Sequence, residues 1–131
     1  MFIYSSKNHA ADPQPFVSFG RLEEREPRVA KVIRLMEARI ENPITVAALA
    51  KHVKISPRRL ETLFNSQLGL SPAAYFNRLR LKSAERLLKD TNLSVREIGL
   101  RTGYSSTASL SRSFKKFSGQ SPVAFRYSMV N

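Results

Sequence analysis

The sequence predicts an all-α domain: two copies of one unit (short helix, tight turn, longer helix) joined by a single long helix. Three observations predict it. No segment shows sustained strand alternation, whereas apolar residues recur at spacings of three and four. The segments on either side of the central stretch also match each other. Thr45/Ser94, Val46/Val95, Leu49/Ile98, Ala50/Gly99 and Ile55/Tyr104 pair at an offset of 49, and Leu60/Leu110, Phe64/Phe114, Gly69/Gly119, Ser71/Ser121 and Pro72/Pro122 at 50. Finally, the matched positions are caps, turns and core positions, as a shared fold requires.

Taken in order, residues 1–26 read as a tail or inter-domain linker. Asp12-Pro13-Gln14-Pro15 cannot continue a helix, and Arg21 to Pro27 is strongly polar. Phe2, Ile3, Tyr4, Phe16, Val17 and Phe19 are unusual for a free tail and suggest packing onto something. The domain proper is expected over 27–131. Val29, Val32, Ile33, Met36 and Ile40 form one stripe of a first helix that should stop near Asn42, because Pro43 disfavours helix before it.

The first short-turn-long unit spans about 45–69. Thr45 caps a short helix to about Val53, with Val46, Leu49, Ala50 and Val53 inward. Ser56-Pro57 opens the longer helix, whose buried side is Leu60, Leu63, Phe64 and Leu68, and Gly69 ends it. Ser71-Pro72 starts the long helix, about 72–89, with Phe76, Leu79, Ala84, Leu87 and Leu88 on its apolar face. At 1.5 Å per residue it measures roughly 27 Å, against roughly 34 Å between successive major-groove faces of straight DNA. The second unit spans about 94–119. Ser94-Val95-Arg96-Glu97 fits a capping box, Gly103 makes the turn, and Ser105 or Ser106 caps a helix bearing Leu110, Phe114 and Phe117, closed by Gly119. A last short helix follows Ser121-Pro122. Small residues at Ala50 and Gly99 should let the two helices of each unit cross closely. Lys54, which faces Gly103 in the repeat, lacks glycine's freedom, so the first turn is expected to be strained or differently shaped.

The net charge is +12, from 22 Lys+Arg against 10 Asp+Glu. Residues 1–26 hold three basic and four acidic residues, so the surplus lies beyond residue 26. A compact domain with that charge points to a polyanion. The absence of Cys excludes disulfides and thiolate zinc sites. No apolar run is long enough to span a bilayer, and the first residues lack a signal-peptide pattern, so a cytoplasmic protein is expected. There is no GxSxG, HExxH or phosphate loop. His9 lies in the tail and His52 on a short helix, and the acidic residues do not cluster as metal ligands, so neither an enzyme nor a metal or cofactor is expected. Basic amphipathic helices can lie on anionic lipid, but these apolar faces also fit mutual packing in one core. RNA recognition favours exposed aromatic platforms, whereas Phe64, Phe76 and Phe114 sit at core phase.

Each copy has the helix-turn-helix arrangement. Leu49-Ala50, Ser56-Pro57-Arg58-Arg59-Leu60, Leu63-Phe64, Gly69-Leu70-Ser71-Pro72, Arg80-Leu81, Ala84, Leu87-Leu88, Ile98, Gly103-Tyr104-Ser105-Ser106, Ser111-Arg112-Ser113-Phe114-Lys115 and Gly119-Gln120-Ser121-Pro122 occur in order along the chain. Together they resemble the AraC/XylS-type DNA-binding domain, from about Pro27 to Arg126. The resemblance implies a seven-helix fold of two homeodomain-like helix-turn-helix subdomains joined by a long helix. It also implies a bacterial transcription regulator, more often an activator, with double-stranded DNA and RNA polymerase as partners. The stretch Glu26 to Glu37, continuing to Glu41-Asn42-Pro43, is similar to the branch with an upstream glutamine-amidotransferase-like sensor domain. On that resemblance, 1–26 is a linker and an effector-binding domain lies outside this chain.

A recognition helix offers its outward N-terminal residues to the major groove. In the first copy these are Arg58, Arg59, Glu61, Thr62 and Asn65. Arg58 suits guanine, Asn65 adenine and Glu61 cytosine. Family positions agree best for Arg58, Glu61 and Thr62. In the second copy they are Thr107, Ala108, Ser111 and Arg112, with Arg112 the foremost base-contact candidate. Candidates for phosphate contact are Thr45, Lys54, Ser56, Arg78, Ser94, Arg101, Ser105, Ser106, Lys115 and Lys116.

Overall fold

The computed structural model describes residues 19–130. The expected role of Phe2, Ile3, Tyr4, Phe16 and Val17 lies outside them. Eight helices form among the described residues: α1 (Phe19–Arg25), α2 (Pro27–Ala38), α3 (Val46–His52), α4 (Pro57–Leu68), α5 (Pro72–Asp90), α6 (Val95–Arg101), α7 (Thr107–Ser118) and α8 (Pro122–Val130). The all-α expectation holds, with one helix beyond the seven. That helix is α1, inside the stretch expected to be tail. Its Leu22 is buried, and Arg34 of α2 lies 5.5 Å over the Phe19 ring and pairs with Glu23. Glu26 is also buried, its carboxylate accepting from Arg28 Nη2 at 2.9 Å. Residue 26, the expected boundary, falls between α1 and α2, and α1 is a folded element whose few apolar residues sit in strongly polar sequence.

The chain divides into two compact units. Unit 1 holds the described residues up to Ala38 together with Ile44–Phe76; unit 2 holds Arg39–Pro43 and Asn77 onward. Helix α5 contributes its first turn to unit 1 and the rest to unit 2.

In unit 1, Val29, Ala30, Val32, Ile33 and Met36 of α2 are all nearly inaccessible, as are Leu49 and Ala50 of α3 and Leu60 and Phe64 of α4. Helix α2 ends at Ala38, earlier than expected. Arg39 Nε donates to the Asn42 carbonyl at 2.9 Å, turning residues 39–42 before Pro43. In unit 2, Leu81, Ala84 and Leu88 of α5 cluster with Ile98, Tyr104, Leu110, Phe114 and Phe125.

The repeat is reproduced bond by bond. Thr45 and Ser94 cap α3 and α6 by accepting from Ala48 N and Glu97 N at 3.1 and 3.0 Å. Ser56 and Ser106 cap α4 and α7 in the same way, at 3.0 Å each. Gly69 and Gly119 end those helices in the left-handed conformation. Phe64 meets Tyr75 edge-on at 5.7 Å, and Phe114 meets Phe125 edge-on at 5.4 Å. The expected capping box at Ser94 is only half formed, because Glu97 faces Arg101 at 3.5 Å instead of returning to Ser94.

The two turns share one geometry as well. Ile55 N donates to Ala50 O at 3.2 Å and Tyr104 N to Gly99 O at 2.9 Å. Gly103 has φ +83°, and Lys54 adopts the same left-handed region at φ +60°. The first turn is thus strained, as expected, and similarly shaped. At Gly99 an added Cβ would meet Leu110 Cδ2 at 3.7 Å, an ordinary van der Waals distance. Alanine therefore fits there, as Ala50 does in unit 1. Gly99→Ala should stabilise unit 2 by about 0.5–1 kcal/mol in denaturant unfolding, through helix propensity alone. A loss of stability would show that the helix pair needs a bare backbone at that point.

Candidate nucleic-acid interface

Helix α4 buries Leu60, Leu63, Phe64 and Leu68 and leaves its other face open. Arg58, Glu61, Thr62 and Asn65 follow one another at spacings of three, one and three, which places them on one side of the helix. With Ser66 they line a shallow, open concavity. Arg59, although exposed, is not part of that lining. Two of the four side chains are turned back on their own helix. Thr62 Oγ1 donates to the Arg58 carbonyl at 3.1 Å, and Asn65 Nδ2 donates to the Glu61 carbonyl at 2.9 Å.

The same register on α7 holds Ala108, Ser111, Arg112 and Lys115. All are exposed except Ser111, which is half-buried. Lys115 matches Asn65 at the offset of 50, so it stands on the outward face as well as in the last turn. Thr107 is the first helical residue and lies elsewhere, lining a second concavity with Arg96, Leu100, Tyr104, Ser105 and Ser106. Arg96 was not foreseen; its position next to Val95 on the short helix α6 gave no charge pattern to single it out.

Among the phosphate candidates, the hydroxyls of Thr45, Ser56, Ser94 and Ser106 are engaged as caps, so what these termini offer is backbone N–H. Ser106, not Ser105, is the cap of α7. Lys54, Lys115 and Lys116 are exposed, Arg78 is half-buried on α5, and Arg101 faces Glu97.

What fixes α7 in unit 2 is a cation held under its preceding turn. Arg80 Nε donates to the Thr102 carbonyl and Nη2 to the Gly103 carbonyl, each at 2.8 Å. Its guanidinium lies 4.2 Å over the Tyr104 ring. Burial lowers the Arg80 pKa from its ordinary value, with Tyr104 countering. Burial raises that of Tyr104, with Arg80 and Ser113 opposing. Tyr104 therefore stays a phenol and donates to Asn77 Oδ1 at 2.7 Å.

This geometry agrees with the comparisons. A family model described as a helix-turn-helix domain matches residues 49–128. A crystallised transcriptional regulator from Chromobacterium violaceum, with an AraC-type DNA-binding domain, is 34% identical and superposes with a TM-score of 0.77, over 82% of this chain and 96% of that one.

The chain belongs to the AraC-type helix-turn-helix family.

The DNA-binding domain of the global transcriptional factor AdpA, solved with a target DNA, is 29% identical, with a TM-score of 0.74 over 77% of this chain and 91% of that one. The transcriptional regulator GbdR of Pseudomonas aeruginosa is 36% identical over 122 residues, 93% of this chain. ArgR of the same organism is 38% identical over 103 residues, 79% of this chain. The chain spans about a third of the length of these two relatives, 33% and 31%. AraC-type members of this kind are DNA-binding transcription regulators, and this chain carries their DNA-binding domain. Among its described residues no helix is long and apolar enough to cross a membrane.

Proposed function

We propose that this domain binds duplex DNA sequence-specifically through α4 and α7, each seated in one of two successive major grooves. The observation that carries the reading is the pair of outward faces in the same register: Arg58, Glu61, Thr62 and Asn65 on α4, Ala108, Ser111, Arg112 and Lys115 on α7. Arg112 reads guanine, Asn65 adenine and Glu61 cytosine, while the Ala108 and Thr107 methyls suit thymine. Lys54, Arg78, Arg101, Lys116 and the N–H groups beginning α4 and α7 take phosphates. The whole protein is a cytoplasmic, non-enzymatic regulator, more often activating, that acts with RNA polymerase. An effector-binding domain precedes this one. The relatives' greater length supports that extra domain, and GbdR and ArgR support the regulatory role.

Selection of preferred sites from random duplexes, followed by binding over a salt series, tests the reading. Arg112→Ala should cost about 1–3 kcal/mol at the selected site and relax one base position. Equal loss on selected and random DNA would reduce Arg112 to a phosphate contact.

A further inference from the structure

Away from the outward face of α4, unit 1 has a second concavity lined by Pro27, Arg28 and Lys31 of α2 and by His52, Val53 and Lys54 at the end of α3 and its turn. Lys31, His52 and Lys54 are exposed, whereas the Arg28 guanidinium is shared with the Glu26 carboxylate at 2.9 and 3.3 Å. Three basic side chains and a histidine thus converge from two elements on one shallow site, with a single carboxylate held to its side.

Lys54 adds a second observation. It is the only non-glycine residue at positive φ among the described residues. The matched residue, Gly103, has no side chain. A left-handed lysine costs about 1–2 kcal/mol that glycine would not, and such strain concentrates where a side chain serves a function.

We propose that this concavity binds one phosphodiester of the DNA backbone, with Lys31 and Lys54 as its principal cations and His52 and Arg28 at its edge. The inference rests on the DNA-binding function proposed above. It adds a backbone clamp made by α2, an element outside either helix-turn-helix. Lys54 lies two residues before Ser56, the cap of the recognition helix α4, so the clamp would hold the strand flanking that helix's entry to the groove. A phosphodiester fits the site because its principal charges, Lys31 and Lys54, are cationic and exposed, and both stand at the rim of one shallow concavity.

The test compares wild type, Lys31→Ala and Lys54→Gly on the selected duplex and on random duplex from low to high salt. Each variant should weaken both duplexes alike, and together they should make the dependence of log K on log salt shallower by about 0.9, one phosphate's worth. Lys54→Gly should at the same time raise the melting temperature, since glycine relieves the left-handed strain. A methylphosphonate at the contacted phosphate should abolish the difference between wild type and the variants. Titration with inorganic phosphate, followed at the His52 ring by NMR, distinguishes a general anion site, saturating without DNA, from one completed only on the duplex. Wild-type salt slopes in both variants, with Arg112→Ala still impaired, would overturn the clamp while leaving DNA reading intact.

Discussion

Alanine at position 103 should cost unit 2 about 2–5 kcal/mol and, with it, the placement of α7. Two costs add. The backbone is left-handed at φ +83°, which an alanine adopts at about 1–2 kcal/mol. Its Cβ would also lie 2.7 Å from the Ile40 carbonyl oxygen and 2.7 Å from two ring carbons of Pro43. These are backbone and ring atoms that cannot swing aside, so overpacking adds about 1–3 kcal/mol. Lys54 shows which cost dominates. The same backbone region is tolerated there by a long side chain, because the position is exposed. Gly103→Asn is therefore the informative companion: asparagine accepts the left-handed region but carries the same Cβ. Denaturant unfolding should find both variants strongly destabilised. Recovery in Gly103→Asn would place the cost in conformation and not in contact with residues 40–43.

Arg80→Met should destabilise the same unit by about 2–3 kcal/mol. The substitution keeps the aliphatic stem but removes two charge-assisted hydrogen bonds to the Thr102 and Gly103 carbonyls and the stacking on Tyr104. The carbonyls at the end of α6 are then left without those partners. Arg80→Lys should recover little, because a single ammonium cannot match two carbonyls and a ring with the fork of a guanidinium. DNA affinity should fall with stability, since the turn that launches α7 loosens, and amide exchange in 99–104 should quicken first. A lysine variant as stable as wild type, with unchanged exchange, would show that only a positive charge is needed.

Much of this fold was legible in the residues. Caps at Thr45, Ser56 and Ser94, the terminators Gly69 and Gly119, and the repeat all follow from local chemistry that tertiary context does not override. The outward face of α4 was legible too, because four core residues fix the helix phase; Arg59 is exposed as expected, though it does not line the concavity. Three features were not. The partner of α1 is α2, and a short polar helix carries no signal for a contact that depends on Arg34 reaching Phe19 and Glu23. Tyr75 and Leu81 are buried although the stripe expected for α5 omits them; they stand four before Leu79 and three before Ala84, and they widen the apolar face of a helix that serves two cores. Lys54 at φ +60° contradicts its own propensity, and only its match with Gly103 hinted at the turn's shape.

The inward bonds of Thr62 and Asn65 have a kinetic consequence. In the proposed complex, both side chains can stay latched to their own helix off target, at 3.1 and 2.9 Å. Helix α4 can then slide along random sequence without breaking a bond at every step. At a matching site each latch is traded for a bond to a base, so the gain is only the difference between two hydrogen bonds, about 0.5–1.5 kcal/mol apiece. If α4 reads bases as proposed, wrong sites are rejected by failing to unlatch. This half of the domain would therefore discriminate through how long it stays on DNA, while its encounter rate remains nearly the same for every sequence.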